Sequence, residues 1–349
     1  LEEPKAYQEH AVFYHRPSHI SDLNGQNPLR PVPERETSFQ VEQVVVLCDE
    51  QFRQFQENGL KDDQIFLFDY SDKMWFDPGS FCWHCVLVKG EKGVVKGVVG
   101  IRAGHLLTPE QIAKAQTVTQ SYVDICVGSR EEAEALGIHT GAQIVPDSPL
   151  ESIGPDGDYI CTRAADCRAL CAVIIETLKE LKAEDIHGEV VAAFNIIEET
   201  TVKGIAAATN KYPCEYGLFL DTIPCGDVPD VDFGKELPVA LKKGPVLLHS
   251  QLFMGLGLRA GSHPKLVEAV RNAAEKTGAN HQEFAFNGAG YVTDAVGAVL
   301  TGMAVVSLAL PRRYSHSPVE LFHMNDICDT QKTVEEFLKN EVDLGLLHK

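Results

Sequence analysis

The sequence predicts an α/β fold in which a mixed sheet carries helices on both faces and a small β-rich domain is inserted. From residue 158 onward, helical and strand patterns alternate, which is typical of a sheet covered by helices on both faces. Residues 51–157 instead contain short alternating runs separated by Asp, Lys and Gly turns, which is typical of a small β domain. The strand pattern at 41–47 resembles those of the later part. We therefore predict one α/β domain over 1–50 and 158–349, with an inserted domain over 51–157.

The first half of the chain is predicted to contain mainly short elements. Residues 1–38 are rich in Pro, His and polar residues, so they are expected to be mostly loop with room for one short helix. The Val-rich residues 41–47 form a clear strand candidate. Ser129 is the predicted N-cap of a helix because Glu132 follows it three residues later. The predicted elements of the insertion are strands at 64–68, 85–88 and 94–101 and helices at 109–119 and 129–136.

The second half of the chain is predicted to alternate between helix and strand. The apolar run at 190–194 is typical of a buried strand. The predicted strands lie at 190–197, 216–221, 283–286 and 304–310. The predicted helices lie at 169–181, 202–209, 263–277, 293–301 and 333–340.

Composition argues against several classes of function. The chain has 349 residues, a formal net charge of -19 and 44% hydrophobic residues, and this length suggests about two domains. It lacks the clusters of Lys and Arg that grip a nucleic-acid backbone. It also shows no apolar stretch of about 18 residues and no basic-then-apolar leader. We therefore expect a cytoplasmic protein with no nucleic-acid partner and no membrane partner.

The ten cysteines are expected to be reduced. In a chain of this size, cysteines among apolar neighbours, such as Cys126, Cys171 and Cys214, are typical of small core residues. Cys82 and Cys85 form a single Cys-x-x-Cys, which suits a redox pair or half of a structural zinc site. No second pair follows at zinc-ribbon spacing, so coincidence is the favoured interpretation.

Two adjacent carboxylates, Glu198 and Glu199, follow the predicted strand at 190–197. Neighbouring side chains on an extended backbone point to opposite sides, so Glu198 and Glu199 are predicted to have different roles. One would hold a metal ion while the other moves a proton. The alternative for an isolated pair is a solvated Glu-Glu at the end of a strand.

Other candidate metal ligands also fall at the ends of predicted strands. Asp166 precedes a helix, Asp221 closes the strand at 216–221, and His316 follows the strand at 304–310. Carboxylates and imidazole are ligands for zinc, cobalt or manganese, and a shared carboxylate holds two ions about 3.5–4 Å apart. Each residue alone has a structural explanation, such as a helix N-cap for Asp166. Their joint occurrence favours a metal site.

A series of ordered motifs runs from about residue 85 to the C terminus. They are Gly97-Val98-Val99-Gly100, Tyr122-Val123-Asp124-Ile125, Ser129-Arg130-Glu131-Glu132-Ala133, Asp221, Gly226-Asp227-Val228-Pro229, Lys243-Gly244-Pro245, His263-Pro264, Thr293-Asp294-Ala295 and Arg313-Tyr314-Ser315-His316-Ser317-Pro318-Val319-Glu320. With these motifs the chain resembles the tetrahedral aminopeptidases, zinc metallopeptidases that include glutamyl aminopeptidase and proteins formerly labelled cellulase M. The resemblance implies a zinc-peptidase type of mixed sheet with an inserted β-rich domain.

The resemblance also implies roles for the candidate residues. Asp166 would bridge two metal ions, Zn²⁺ or Co²⁺. Glu199 and His316 would complete one metal site, and Asp221 would belong to the other. Glu198 would be the general base that deprotonates the attacking water. The family has two ions, and one ion is an alternative for this chain.

The implied activity is removal of N-terminal residues from short peptides. In the family, the inserted domain helps to assemble a hollow tetrahedral dodecamer, and only short peptides reach its sites. The resemblance therefore implies a homo-oligomer, with residues 51–157 as the domain for assembly and substrate access.

The chain departs from the family pattern at its first metal ligand. The family has a histidine two residues before an Asp-Glu pair, and the matching position here is Leu47, before Asp49 and Glu50. Leucine cannot bind a metal. In the family that aspartate supports the histidine, so Asp49 is a supporting or substitute candidate here. The other substitutes are Cys48, His15 and His19, with His84 a weaker one.

A second departure precedes Thr293-Asp294-Ala295. The family has two glycines there, and this chain has Tyr291 and Val292, which put side chains where the family keeps bare backbone near the site. Asp294 remains as a supporting candidate.

These departures leave two hypotheses for function. The first is a metal-dependent aminopeptidase, and the second is a catalytically impaired relative that binds peptides or partners. A glycosidase is less favoured because adjacent carboxylates diverge, whereas that chemistry needs two carboxyl groups on either side of one bond. A serine hydrolase is disfavoured because no Gly-x-Ser-x-Gly motif occurs.

Overall fold

The computed structural model describes residues 10–17, 66–67, 80, 84–114, 121–196, 198–253, 257–287 and 290–345. Two compact units are present. The first contains residues 1–41, 151–315 and 320–349, and the second contains residues 42–150 with the loop 316–319. The strand predicted at 41–47 lies outside the described residues, as do His19, Leu47, Cys48, Asp49 and Cys82.

The described strands and helices have the following bounds. The strands are β1 (His10–Pro17), β2 (Phe66–Leu67), β3 (Cys85–Gly90), β4 (Gly93–Gly100), β5 (Tyr122–Asp124), β6 (Gln143–Pro146), β7 (Glu151–Ile153), β8 (Tyr159–Thr162), β9 (Gly188–Asn195), β10 (Tyr216–Pro224), β11 (Val246–Phe253), β12 (Leu258–Gly261), β13 (Gln282–Phe286), β14 (Ala304–Arg312) and β15 (Glu320–His323). The α-helices are α1 (Pro109–Ile112), α2 (Arg130–Ala135), α3 (Ala165–Glu180), α4 (Glu198–Thr201), α5 (Lys203–Lys211), α6 (Pro264–Thr277), α7 (Ala295–Val299) and α8 (Met324–Leu338).

The first unit is built on a seven-stranded sheet. Six of its strands follow the order β12-β11-β14-β10-β1-β9, and β13 pairs with β11. The β10/β14 and β11/β13 pairs are parallel, whereas the other pairs are antiparallel. The predicted mixed sheet is therefore confirmed. A separate three-stranded sheet joins β15, β8 and β7.

Helices cover both faces of the large sheet. In β10, Leu218 and Leu220 lie in a core that also contains apolar residues of α3, α6 and α8. Phe219, between them, lies in a second core with residues of α5 and α7, such as Ile205 and Val296. Successive strand residues point to opposite faces, so the two cores lie on opposite faces of the sheet. This arrangement confirms the predicted helices on both faces.

The second unit contains a five-stranded antiparallel sheet in the order β2-β5-β4-β3-β6. Its core is small and rich in valine, including Val86, Val99 and Val123. The Ser129 hydroxyl accepts a hydrogen bond of 3.2 Å from the Glu132 backbone N–H, which confirms the predicted N-cap of α2. The predicted helix at 109–119 is shorter in the described residues, where α1 ends at Ile112.

Several elements of the first unit differ from the predictions. Residues 10–17, expected to lie in a mostly loop region, form β1, because their short run of Ala, Val, Phe and Tyr favours a strand. The last helix begins at Met324 rather than at 333, since buried polar residues interrupt its apolar pattern. Strands β11 and β12 were not predicted.

The described residues also bear on two expectations that were drawn from composition, concerning membrane-spanning helices and cysteines. None of their helices is both long and apolar enough to cross a membrane. The eight described cysteines form no disulfide, which agrees with the prediction that they are reduced. Cys126 is exposed, however, so its assignment to the core was wrong: it lies in a turn with a φ of 60°, just beyond β5.

Candidate metal centre

The candidate ligands of the first unit lie where its strands and helices begin or end, except Asp221, which was predicted to close its strand but lies three residues before the end of β10. Asp166 is the second residue of α3, and Glu198 and Glu199 open α4 directly after β9. Asp221 lies in the second half of β10, and Arg312 is the last residue of the parallel neighbour β14. Neighbouring parallel strands present their carboxyl ends at one edge of the sheet, where open α/β sheets place their binding sites.

Two groups of potential ligands share Asp166. Asp166, Glu199 and His316 each offer one ligand atom, and these atoms all lie within 4.8 Å of one another. Asp166, Cys167 and Asp221 meet the same criterion. The structure therefore brings together all four residues predicted as ligands. Two carboxylates and one imidazole form a donor set that fits zinc, cobalt or manganese, so the first group is suited to hold a divalent ion.

The backbone beside these residues adopts conformations that residues with side chains rarely take. Ala164, two residues before Asp166, has a φ of 47°, and Val202, just after α4, has a φ of 48°. Tyr314 and His316 have φ values of 61° and 53°. Left-handed conformations are costly for such residues, above all for β-branched valine, and they cluster at functional sites. Their concentration here supports a functional role for this region.

Both carboxylate oxygens of Asp166 have protein partners. The Thr222 hydroxyl donates a hydrogen bond of 3.0 Å to Oδ1. Arg312 Nη1 lies 2.5 Å from Oδ2 and 2.6 Å from Oε1 of Glu320. The backbone N–H of Asp166 donates to the other Glu320 oxygen at 2.9 Å. Asp166, Arg312 and Glu320 therefore form a closed network in which each residue contacts the other two.

Arg312 is a buried cation within this carboxylate cluster. Its side chain is only 4% exposed. Burial by itself lowers the pKa of a guanidinium, but the carboxylates of Asp166, Glu320 and Glu199 outweigh it and raise the pKa of Arg312. The guanidinium is therefore a positive charge beside these carboxylates.

Tyr291 contacts the Asp221 side of the cluster. Its hydroxyl donates a hydrogen bond of 2.8 Å to the backbone carbonyl of Thr222, the residue after Asp221. Its ring stacks on Phe286 with centroids 5.0 Å apart. Burial of the phenol, followed by the nearby Asp221 carboxylate, raises the pKa of Tyr291 well above its usual range. Tyr291 thus places a buried side chain beside the backbone of the residue that follows Asp221.

The remaining candidates take different positions. Glu198 is 9% exposed at the start of α4. Asp294 is buried, and its Oδ2 accepts a hydrogen bond of 3.0 Å from Asn195, the last residue of β9. His84 belongs to no ligand group within the described part of the chain. For His15 the structure describes the backbone of β1 alone.

Residues 77–333 of the chain match the profile of the M42 glutamyl aminopeptidase family. The chain belongs to the M42 family. Relatives with curated sequences include FrvX and SgcX of Escherichia coli (strain K12). FrvX is 30% identical over 67% of this chain and 63% of its own length, and SgcX is 24% identical over 70% and 65%. The chain thus spans less than two thirds of either protein. Lysyl aminopeptidase of Pyrococcus furiosus is 28% identical over 71% of this chain and 68% of its own.

Solved M42 structures share the fold. The TET aminopeptidase of the marine sediment archaeon Thaumarchaeota archaeon SCGC AB-539-E09 has a TM-score of 0.73 at 24% identity, covering 85% of this chain and 77% of its own. The TET1 peptidase of Pyrococcus horikoshii, which can assemble into a tetrahedron or a large octahedral shell, has a TM-score of 0.66 at 25% identity, covering 84% and 79%.

Sequence reasoning assigned no role to three residues at this candidate centre: Cys167, Arg312 and Glu320. Cys167 follows Asp166 directly, but a cysteine beside an apolar helix is typical of a core residue. One signal in the sequence could have identified Arg312: it follows a largely apolar run. The structure shows that this run is the strand β14 and that all nine of its residues, including Arg312, are buried. A buried arginine needs an acidic partner, and Glu320 lies eight residues later.

Proposed function

We propose that this M42 chain is a metal-dependent aminopeptidase that removes N-terminal residues from short peptides. The observation that carries the proposal is the convergence of Asp166, Glu199 and His316 within 4.8 Å, with Glu198 next to Glu199 in the chain. Curated relatives named lysyl aminopeptidase and glutamyl aminopeptidase give it further support.

Asp166, Glu199 and His316 would hold the metal, with Asp221 as the ligand of a second ion if two are bound. A bound Zn²⁺ or Co²⁺ supplies Lewis-acid chemistry, because it lowers the pKa of water and polarises a carbonyl. Glu198 takes the proton from the attacking water and then delivers it to the departing amine. Asp294 positions the end of β9 through its hydrogen bond with Asn195.

The role of Glu198 is tested by Glu198→Gln, which keeps the shape of the side chain but cannot accept the proton. We expect turnover of aminoacyl-anilides to fall by about 10²–10⁴-fold, which is the usual contribution of a general base. Zinc content should not change. Glu176→Gln is the matched control, since Glu176 is an exposed residue of α3 that pairs with Lys179. A Glu198→Gln variant with the activity of the wild type would contradict this role.

The activity itself is tested with a panel of aminoacyl-anilides in the presence of zinc, cobalt or manganese. Cleavage by the wild type with any of the three metals supports the proposal. Purified protein that retains no stoichiometric metal and cleaves none of the substrates would overturn it.

A second candidate function is a non-catalytic relative that binds peptides without turnover. Two observations favour it: Leu47 stands at the position of a family ligand, and Tyr291 lies on the Asp221 side of the cluster. Leu47→His distinguishes the two functions. If the wild type is inactive and Leu47→His is active, the second function is supported. An active wild type that Leu47→His leaves unchanged rules it out.

We also propose that the chain assembles with copies of itself, as a tetrahedral dodecamer. The TET1 peptidase of Pyrococcus horikoshii, which can assemble into a tetrahedron, supports this proposal. The second unit exposes large apolar side chains, including Val94, Leu106 and Ile112, which are 56%, 62% and 64% exposed. Contact with another copy would remove this apolar surface from water.

A further inference from the structure

Arg312 lies where the buried carboxylates of Asp166 and Glu320 would otherwise need another cation to balance their charge. A buried cluster of carboxylates is stable only if positive charge is close to it. In this chain Arg312 Nη1 lies 2.5 Å from Asp166 and 2.6 Å from Glu320. The protein itself therefore supplies one fixed positive charge to the centre.

Asp166 has limited capacity to hold two ions. A carboxylate that bridges two ions gives one oxygen to each. Here Oδ2 is paired with Arg312 and Oδ1 accepts the Thr222 hydroxyl. A second divalent ion at Asp166 would lie beside a guanidinium that cannot lose its charge.

The Asp221 side of the centre is also altered. Its potential ligands are Asp166, Cys167 and Asp221, all buried. The Cys167 thiol donates a hydrogen bond of 3.6 Å to the carbonyl of Leu220, and the backbone N–H of Thr222 donates to Asp221 at 2.7 Å. Tyr291 is not one of these potential ligands, but its hydroxyl donates a hydrogen bond to the carbonyl of Thr222. Oδ1 of Asp221 thus already accepts a backbone hydrogen bond, and the Cys167 thiol donates to a backbone carbonyl.

We propose that this centre holds a single divalent ion, at Asp166, Glu199 and His316, and that the Arg312 guanidinium takes the place of the second cation beside Asp166. The inference rests on the proposed function, since it assumes that the first group binds a metal. Arg312 is then a positioning residue. It fixes the orientation of the Asp166 carboxylate and balances its charge.

The number of ions is measured on the full chain after removal of metal with a chelator and dialysis against zinc. We expect one zinc per chain by elemental analysis and a single binding event by calorimetry. X-ray absorption of the zinc-loaded protein should show nitrogen and oxygen neighbours, with no sulfur at about 2.3 Å. Two ions per chain, or a sulfur ligand that Cys167→Ser removes, would overturn the inference but leave the proposed function standing. Binding of no zinc would overturn both.

A matched pair of variants isolates the part played by Arg312. Arg312→Lys keeps a positive charge at this position, so it should still bind one zinc. Arg312→Met removes the charge and should bind two. Binding of two ions by Arg312→Lys, or of one by a folded Arg312→Met variant, contradicts the proposal. If Arg312→Met does not fold, the ion counts of the wild type and of Arg312→Lys decide the question.

Discussion

At the scale of single residues, Gly204 shows how closely the backbone packs beside the candidate base. It is the second residue of α5 and lies against the loop that joins β9 to α4. A Cβ atom added there would lie 2.2 Å from the carbonyl oxygen of Ile196, two residues before Glu198. No side chain can move to relieve this contact, because the opposing atom belongs to the backbone. Only glycine fits this position.

Gly204→Ala is therefore expected to lower the free energy of unfolding by about 1–3 kcal/mol, the usual cost of overpacking. It should also reduce turnover, because the displaced loop carries Glu198. Gly261→Ala is the control, since no atom lies within 4 Å of its added Cβ. Its effect should stay within about 0.5 kcal/mol. Denaturant unfolding and peptide hydrolysis measure both variants, and equal stability of the two would show that the Gly204 contact is unimportant.

The residues of the centre divide into those that local sequence predicts and those that it does not. Glu199 and Asp221 became candidates because each follows an apolar run, and Asp166 because it precedes a predicted helix. Arg312 and Tyr291 were not assigned roles, since their partners are set by tertiary structure. Arg312 meets an aspartate 146 residues earlier in the chain (312 − 166), and Tyr291 meets Thr222 across 69 residues. Such contacts leave no periodic signal in the sequence.

At the scale of elements, Glu283 links α6 to two strands. It lies in β13, and Arg271 of α6 pairs with it through Nε at 2.5 Å and Nη2 at 2.9 Å. His249 of β11 lies 2.7 Å from the same carboxylate. These contacts, led by the hydrogen bond from Arg271, lower the pKa of Glu283 from 4.5 to about 2.

This pKa shift predicts a pH dependence of stability. Because the pKa is lower in the folded state, the carboxylate stabilises the fold above about pH 4.5, and this contribution is lost as the pH falls towards 2. Glu283→Gln should lower the free energy of unfolding at pH 7 by up to about 1 kcal/mol, since the group is partly exposed. The difference from the wild type should shrink between pH 4.5 and 2. Urea titrations at several pH values measure it, and a difference independent of pH would contradict the assignment.

Elements with strong local signals were predicted well. Helix α6 has a side-chain cap at His263, proline at its first position and Gly278 in a left-handed conformation after its end. Helix α8 was predicted to begin nine residues too late (333 − 324), because Asp326 and Thr330 are buried in its first turns and hide its apolar face. The signal for β1 was equally weak, since its partners β9 and β10 lie far away in the sequence.

At the scale of the whole molecule, the charge bears on assembly. Each chain carries a formal net charge of -19, so copies repel one another at low ionic strength. Contacts between them must then depend on apolar surface, and the exposed Leu106 and Ile112 of the second unit provide some. Salt weakens the repulsion between copies and leaves apolar contacts intact.

Light scattering on the purified protein tests the proposed assembly. A dodecamer of this 38.3 kDa chain has a mass of twelve times that value, about 460 kDa, and we expect the assembly to strengthen as salt is added. Ile112→Asp should shift the protein towards smaller species. Leu300→Asp, at a residue of the first unit that is 79% exposed, should not. A monomer at every salt concentration would contradict the proposal.

The position of β1 has a consequence for how the chain acquires its fold. During synthesis the residues His10–Pro17 emerge before their two neighbours, β9 and β10, and residues 42–150 of the second unit lie between them in the chain. The large sheet therefore cannot close over its centre until β10 has left the ribosome. Contacts between such distant segments slow folding and leave apolar strands exposed in the meantime. The early segment β1 thus completes the part of the sheet from which Asp221 and the Glu198-Glu199 pair extend.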